Sequence, residues 1–159
     1  MLAKSMSTHV YNQDMDEIDD DVSLVLELAA AWTAVERRVS APLSAIRGVS
    51  LAEYRLLAAL EAAPGARASR VDLARAVGLT PSAVTRALRP LEELGMVATV
   101  KHERDARQAL ATLTPAGREL VADATGVLAD TVAEVLASSP GVAARRAELR
   151  TLLAELARA

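Results

Sequence analysis

Apolar residues recur every three or four positions along much of the chain, which is the spacing of amphipathic helices. This spacing runs from Asp21 to about Arg47 and predicts a long first helix with a kink or break at Pro42. Residues 1–18 are polar and acidic without such periodicity, so we expect them to form a mobile tail. The apolar seam of the first helix consists of Val25, Leu28, Trp32, Val35, Val39, Leu43 and Ile46.

Capping motifs mark the start of the next helices. A Ser or Thr at the N-cap accepts a hydrogen bond from an unpaired backbone N–H, and a Glu three residues later or a Pro at the first helical position strengthens the signal. Such motifs begin at Ser50, Ser69, Thr80 and Thr114. They predict further helices, one of which spans 80–94, and a last helix with leucines at 149, 152, 153 and 156 reaches the C-terminus.

Two short β-type segments precede Thr114. They run from Met96 to Lys101 and from Gln108 to Leu113 around a polar tip, which predicts a hairpin. The short turn Gly78-Leu79 joins the two helices before them, as in a helix-turn-helix. The predicted fold is therefore mainly α with a small β wing: a winged helix-turn-helix at 49–114, between an N-terminal helix at 19–48 and C-terminal helices at 115–159.

The composition excludes several classes of protein. Because the chain has no cysteine, it has no disulfide framework, thiolate zinc site, iron–sulfur cluster or thiol redox sensor. No apolar run approaches the roughly 18–20 residues that span a bilayer, and the first residues lack the apolar stretch of a signal peptide. We therefore expect a cytoplasmic protein with no membrane partner.

Charge is distributed unevenly along the chain. Residues 1–63 carry a net charge of −5, residues 64–108 carry +3 and residues 109–159 carry −1. A basic segment between acidic flanks is typical of a small phosphate-facing module in an acidic protein. Arginines clustered by chance on a solvated surface would give the same totals. Whether this segment faces phosphates therefore depends on where its charges lie in the fold.

The predicted helix 80–94 has one polar and one apolar face. In a helix-turn-helix, the N-terminal residues of this helix contact base edges in the major groove of DNA. Small residues there allow close approach, and hydroxyls and arginines donate hydrogen bonds to bases and phosphates. An ordinary helical hairpin is the alternative. The candidate base-contacting residues are Ser82, Ala83, Thr85, Arg86 and Arg89, and Val84, Leu88 and Leu91 fall on the core-facing side.

The tip of the predicted hairpin is a second candidate site. Arginine suits a narrow minor groove, where negative potential is concentrated, and an aspartate beside it can hold it through charge-assisted hydrogen bonds. A solvated turn with an unimportant ion pair is the alternative. The candidates at the tip are Arg104, Asp105 and Arg107, and the candidate phosphate contacts are Ser69, Arg70, Thr80 and Lys101.

Catalysis has little support. The two histidines are His9, in the predicted tail, and His102, at the hairpin tip, and neither has a nucleophile or a metal partner near it in the sequence. The acidic cluster at 14–21 lacks the glycine of an EF-hand and places Ile18 at a ligand position. We predict no catalytic residue, no metal and no cofactor.

The segment from Val49 to Gly117 resembles the MarR family of winged-helix transcriptional regulators. No single motif identifies the family, but the order and spacing of the motifs together are specific. The flanking helices extend the resemblance to about residues 20–157. The motifs are LAEYRLL at 51–57, DLARAVGL at 72–79, SAVTR at 82–86, LEELGMV at 91–97, DAR at 105–107 and LTPAG at 113–117.

The resemblance implies a homodimer whose N- and C-terminal helices interlock. Its two winged helices would bind a pseudo-palindromic site on double-stranded DNA, with helix 80–94 in the major groove and the wing 101–108 in the minor groove. The family's minor-groove arginine corresponds to Arg107 and its aspartate partner to Asp105. Pro90 departs from the pattern, because a proline inside the helix removes one helical hydrogen bond and can bend it.

The apolar residues of the terminal helices also favour a dimer, because they exceed what one small domain buries. Packing of both helices on their own winged helix is the alternative. The resemblance further implies a small aromatic or anionic effector, bound between the dimer helices and the winged helix. Trp32, Arg47 and Tyr54 are the candidate ligand contacts; core packing of the two aromatic residues, with a solvated Arg47, is the alternative.

The leading hypothesis is a homodimeric, sequence-specific DNA-binding regulator that an effector releases from its operator. Repression is the favoured outcome, and activation is the alternative. The alternative is a winged-helix module for protein–protein contact that does not bind DNA.

Overall fold

The computed structural model describes residues 3–46, 48–101 and 109–158, with side chains from residue 19 onward except at Lys101. The chain forms two compact units, one that ends at Arg38 and one that begins at Val39. The described helices are α1 (Ala3–Ser44), α2 (Leu51–Ala62), α3 (Arg70–Val77), α4 (Pro81–Glu93), α5 (Pro115–Ala137), α6 (Pro140–Ala144) and α7 (Arg146–Leu156). A short 3-10 helix at Pro64–Ala66 and the strands β1 (Arg67–Ser69), β2 (Val97–Lys101) and β3 (Ala109–Leu113) complete the fold.

Helix α1 is longer than the sequence pattern predicted. It begins at Ala3 rather than near Asp21, so the backbone of residues 3–18 is helical where we expected a mobile tail. This segment contains no Gly or Pro, so nothing in it stops a helix from extending toward the N-terminus. The helix also continues through Pro42 and ends at Ser44.

The predicted caps are confirmed. Ser50 and Glu53 form the capping box of α2: the Glu53 N–H donates to Ser50 Oγ at 3.2 Å, and the Ser50 N–H donates to Glu53 Oε2 at 2.9 Å. Thr80 caps α4 by accepting from the Ala83 N–H at 3.2 Å. Because each bond satisfies an orphan donor of the first turn, the caps fix where these helices begin.

The small sheet has three antiparallel strands in the order β1-β3-β2. The predicted hairpin is confirmed: Val97 pairs with Leu113 at one end of β2 and Lys101 pairs with Ala109 at the other. Strand β1 was not predicted, because three residues are too short to show an alternating pattern. It forms through tertiary pairing with β3, in which Ala68 lies opposite Ala111.

The core of the second unit lies between α2, α3, α4, the sheet and the start of α5. Leu56, Leu57 and Leu60 from α2 are fully buried, and side chains of the other elements close around them. The remaining members are Val49, Leu73, Ala74, Val77, Val84, Leu88, Leu91, Met96, Val97, Ala111, Leu113, Leu120 and Val121. The mainly α fold with a β wing is confirmed, and it forms one hydrophobic cluster.

The junction between the hairpin and α5 explains the motif LTPAG. Thr114 caps α5, and its hydroxyl lies 2.8 Å from the Gly95 carbonyl oxygen and 3.0 Å from that of Met96, both just before β2. Gly117 is buried at the same place, where a Cβ atom would overlap the Met96 carbonyl oxygen and lie 2.7 Å from Leu113 Cδ1. The motif therefore holds the start of α5 against the base of the hairpin.

Candidate nucleic-acid interface

Helix α4 has one buried and one exposed face, as the sequence predicted. Val84, Leu88 and Leu91 are at most 2% exposed and anchor the helix in the core. On the opposite face Ala83 is half-buried, and the remaining candidates Ser82, Thr85, Arg86 and Arg89 are exposed. The predicted orientation of the helix is confirmed, and hydroxyl and guanidinium groups line its solvent side.

The two arginines of this face differ in their intramolecular contacts. Arg89 Nε donates to Glu93 Oε1 at 3.0 Å, one helical turn away, in a pair whose side chains are 80% and 65% exposed. No side-chain hydrogen bond or ion pair joins the Arg86 guanidinium to another described residue. Within the described part of the chain, the charge of Arg86 on the exposed face is therefore unpaired, whereas that of Arg89 is partly balanced.

The turn between α3 and α4 is built for two crossed helices. Gly78 ends α3 in the left-handed conformation, at φ +70°, which a glycine adopts without the strain of a side chain. Arg55 of α2 donates from Nη2 to the Val77 carbonyl oxygen at 2.9 Å, which satisfies an acceptor at the end of α3. Pro90 does not interrupt α4, which continues to Glu93.

Several candidate phosphate contacts lie beside α4. A solvent-open hollow of about 580 Å³ is lined by Ser69, Arg70, Val71, Thr85 and Ala109, so α3, α4 and β3 all contribute to it. Ser69 caps α3 and its hydroxyl donates to Asp72 Oδ2 at 2.7 Å. The structure thus brings Ser69, Arg70 and Thr85 together, while Thr80 lies exposed at the start of α4.

Arg70 makes contacts that the sequence did not reveal. Its Nη2 atom donates to Glu92 Oε1 of α4 at 3.1 Å and to Thr99 Oγ1 of β2 at 3.0 Å. The Thr99 hydroxyl in turn donates to Glu92 Oε1 at 2.6 Å. These three residues, the Arg70 cluster, tie the first residue of α3 to the end of α4 and to the hairpin. Glu92 and Thr99 were not candidates because only tertiary structure brings them to Arg70.

Some candidates lie outside the described part of the chain. They are Arg104, Asp105 and Arg107 at the hairpin tip, together with His102 and Arg47. For Lys101 the backbone is described, as the end of β2, and the side chain is not. Their assignments stay predictions.

The two remaining ligand candidates belong to different units. Trp32 lies on α1 in the first unit and is 48% exposed. Tyr54 lies on α2 in the second unit, half-buried, with its hydroxyl 2.9 Å from Thr125 Oγ1 of α5. Thr125 Oγ1 itself donates to the Val121 carbonyl oxygen at 2.7 Å, so the Tyr54 hydroxyl is the donor in the bond between α2 and α5.

Helix α7 exposes its apolar side chains. Together with α6 it borders an open groove of about 460 Å³, whose lining includes Val142, Leu149 and Leu152. Leu153 and Leu156 of the same helix are also exposed. None of the described helices is both long enough and apolar enough to cross a membrane. In the described part of the chain, no group of three or more His, Asp or Glu residues is placed to hold a metal ion.

Comparisons with known proteins agree with this geometry. The MarR family model matches residues 47–108, which span the helix-turn-helix and the hairpin as far as the residue before β3. The HTH-type transcriptional repressor Rv2887 of Mycobacterium tuberculosis is 37% identical over 118 residues, which cover 74% of this chain and 83% of that protein.

Solved structures share the fold over most of the chain. The transcriptional regulator BldR from Sulfolobus solfataricus superposes with a TM-score of 0.72 at 27% identity, covering 87% of this chain and 97% of BldR. CouR from Rhodococcus jostii RHA1, bound to p-coumaroyl-CoA, superposes with a TM-score of 0.71 at 25% identity, covering 87% and 93% of the two chains. The winged helix-turn-helix, the matching family model and the identity to a repressor together establish that this chain is a transcriptional regulator of the MarR family.

Proposed function

We propose that this regulator binds double-stranded DNA as a homodimer and represses transcription by occupying a pseudo-palindromic operator. The observation that carries the proposal is the exposed face of α4, where Ser82, Thr85, Arg86 and Arg89 lie opposite a fully buried face. The core fixes the helix while its polar side chains remain free to enter the major groove.

Each side chain on this face has a distinct expected role. Arg86, which is unpaired among the described residues, donates two hydrogen bonds to a guanine edge, the commonest specific contact of an arginine. Ser82 and Thr85 contact base edges or phosphates through their hydroxyls, and Ala83 leaves room for close approach. Arg89 lies farther along the helix and contributes mainly charge toward phosphates.

The hairpin supplies the second part of the interface. Strands β2 and β3 lead to the tip at residues 102–108, which contains Arg104, Asp105 and Arg107. In the proposed complex Arg107 enters the minor groove and Asp105 orients it, with Lys101 near the phosphates. Ser69 and Thr80 cap α3 and α4 close to the same surface and complete the phosphate contacts.

The terminal helices support the proposal of a homodimer. The apolar side chains of α7 are exposed, and so, separately, are those of the described part of α1 from Val22 to Trp32. The proposed domains are thus a dimerisation helix at 19–48, the DNA-binding winged helix-turn-helix at 49–114 and dimerisation helices at 115–159. A twofold dimer presents its two copies of α4 roughly 34–36 Å apart, one turn of DNA.

An effector completes the proposal. A small aromatic or anionic ligand changes the spacing of the two copies of α4 and so lowers the affinity for the operator. CouR, whose structure holds p-coumaroyl-CoA, supports this class of ligand.

The decisive experiment starts from selection of bound fragments out of random genomic DNA. This yields the operator, its symmetry and the spacing of its half-sites. Affinity for that operator is then measured by fluorescence anisotropy for the wild type and for Arg86→Ala, with Arg75→Ala on α3 as the control for loss of an exposed arginine.

We expect Arg86→Ala to lose about 1–3 kcal/mol of binding free energy and to relax the preference at one base pair. Arg75→Ala should lose no more than the small effect of one exposed charge. If the Arg86→Ala, Arg107→Ala double variant binds as tightly as the wild type from low to high salt, the protein does not recognise DNA through this face. The winged helix would then serve protein–protein contact instead.

A further inference from the structure

The Arg70 cluster joins three elements of the proposed interface at one point. Arg70 is the first residue of α3, Glu92 lies in the last turn of α4, and Thr99 is the middle residue of β2. The guanidinium donates to both partners at 3.1 and 3.0 Å, and the Thr99 hydroxyl closes the triangle by donating to Glu92 at 2.6 Å. Each of the three residues therefore contacts the other two.

The cluster differs from the surface ion pairs nearby. The side chains of Arg70 and Glu92 are 23% and 31% exposed, whereas those of Arg75 and Asp72 are 75% and 62% exposed. The Arg75 pair also joins residues within one helix, as does the pair of Arg89 and Glu93. Local exposed pairs contribute little, but a partly buried pair between elements restricts how those elements move relative to each other.

The surroundings of Arg70 also limit its reach toward DNA. Its Nη2 atom is engaged by Glu92 and Thr99, and its Nη1 atom is buried. The carboxylate of Glu92 balances the guanidinium charge at 3.1 Å, so the pair adds little net positive charge to the surface. A phosphate contact would require this arrangement to open.

We propose that Arg70 is a positioning residue for DNA recognition, one that sets the hairpin at a fixed angle to α4, rather than a phosphate contact. This inference rests on the proposed function. The exposed face of α4 and the hairpin tip must meet neighbouring grooves of the same duplex, and hydrogen bonds weaken steeply when their geometry is disturbed. A fixed connection between the end of α4 and the middle of β2 keeps the two sets of contacts in register.

The two roles of Arg70 predict opposite effects of Glu92→Gln. A positioning role predicts weaker operator binding, because the bonds from Arg70 and Thr99 to residue 92 lose the charge of their acceptor and hold β2 less firmly; an effect of up to roughly tenfold is expected from this loss. A phosphate-contact role predicts tighter binding and a steeper dependence on salt, because Arg70 is released from its counter-charge. The affinity of the full-length protein for its selected operator, measured across a salt series, separates the two.

Arg70→Met and Arg75→Met form the matched pair of variants. Each removes one arginine from α3 and keeps a side chain of comparable length, but only Arg70 contacts other elements. Arg70→Met should weaken binding roughly tenfold with little change in the salt slope, and Arg75→Met should not weaken it beyond the small effect of one exposed charge. A drop in the slope of about one for Arg70→Met alone would identify a phosphate contact and overturn the proposal.

A measurement without DNA tests the cluster independently of the proposed function. Amide hydrogen exchange of β2 and β3 should accelerate in Arg70→Met and in Thr99→Val, which removes only the hydroxyl, while α2 and α5 keep their protection. Equal exchange of the hairpin in Arg70→Met and Arg75→Met would overturn the inference. If the wild type binds no DNA, the proposed function fails, and this exchange result still decides whether Arg70 holds the hairpin.

Discussion

Helices α4 and α7 both carry an apolar face, which the chain buries in α4 and leaves exposed in α7. The apolar residues of α4 are buried by the same chain, with Val84 and Leu88 fully enclosed. The apolar residues of α7 remain exposed: Leu152 is 54% and Leu156 is 60% accessible. Fully burying a leucine is worth about 1.5–3 kcal/mol, so the half-exposed leucines of α7 gain only roughly half of this energy, whereas those of α4 gain nearly all of it.

This difference teaches what a hydrophobic pattern can specify. An apolar stripe indicates that a helix face will be covered, but the pattern does not contain the identity of the covering surface. The winged helix-turn-helix closes its core from its own elements. For α7, and separately for α1, the covering surface belongs in our proposal to a second copy of the chain.

The largest effect is expected from a substitution in the core of the winged helix. Leu88→Ala should lower the free energy of unfolding by about 2–5 kcal/mol, because it leaves a cavity beneath the recognition face. Chemical denaturation monitored by circular dichroism measures the loss, with Leu94→Ala, which truncates a 62% exposed side chain, as the control. The deficit of Leu88→Ala should be the same at low and high protein concentration; a deficit no larger than that of Leu94→Ala would contradict the assigned core.

The next largest effect is expected from a substitution on the exposed apolar face of α7. Leu152→Asp should shift the protein from dimer toward monomer, because each protomer loses the burial of the exposed half of Leu152, about 1 kcal/mol, and a charge is placed in the interface. Sedimentation equilibrium measures the dissociation constant, and Leu94→Asp introduces the same charge at an exposed leucine outside α7. A wild type that is monomeric throughout, or a dimer that Leu152→Asp leaves unchanged, would refute the dimer proposal for this helix.

The smallest effects are expected from two glycines of a single helix, α5, one in a tightly packed position and one in an open position. Gly117→Ala should destabilise by about 1–3 kcal/mol, because its Cβ meets the Met96 carbonyl group at the base of the hairpin. Gly126→Ala should instead stabilise by about 0.5–1 kcal/mol, because its Cβ has open space around it and alanine is the better helix former. Thermal unfolding of the two variants should therefore move in opposite directions; shifts of the same sign would contradict the described packing of α5.

Much of the architecture could be predicted from the sequence because local physics determines it. Capping residues such as Ser50 and Thr80 act on backbone groups three residues away, and apolar spacing orients α4. The start of α1 lies earlier than apolar periodicity indicates, because residues 3–18 lack that periodicity but also contain no Gly or Pro that would stop a helix. Strand β1 was not predicted because, among the described strands, it pairs with one that lies more than 40 residues away in the sequence.

Arg70 is another case in which the local sequence was not sufficient, here at the candidate nucleic-acid interface. A basic residue beside a helix-turn-helix predicts a phosphate contact, and the sequence gives no reason to choose otherwise. Packing of α3 against α4 and the hairpin places Glu92 and Thr99 around its guanidinium, which changes the role we assign to it. Arg86 is exposed as predicted, because the apolar spacing of α4 turns the opposite face of the helix toward the core.

The sequence alone determined the succession of helices, their caps, the hairpin and the two faces of α4, because each depends on residues within a few positions of one another. The tertiary structure decided which charges are balanced, where β1 pairs, why Gly117 must be small and which apolar faces the chain leaves open. Those properties depend on contacts between residues far apart in the chain, and their energies arise only when the elements pack.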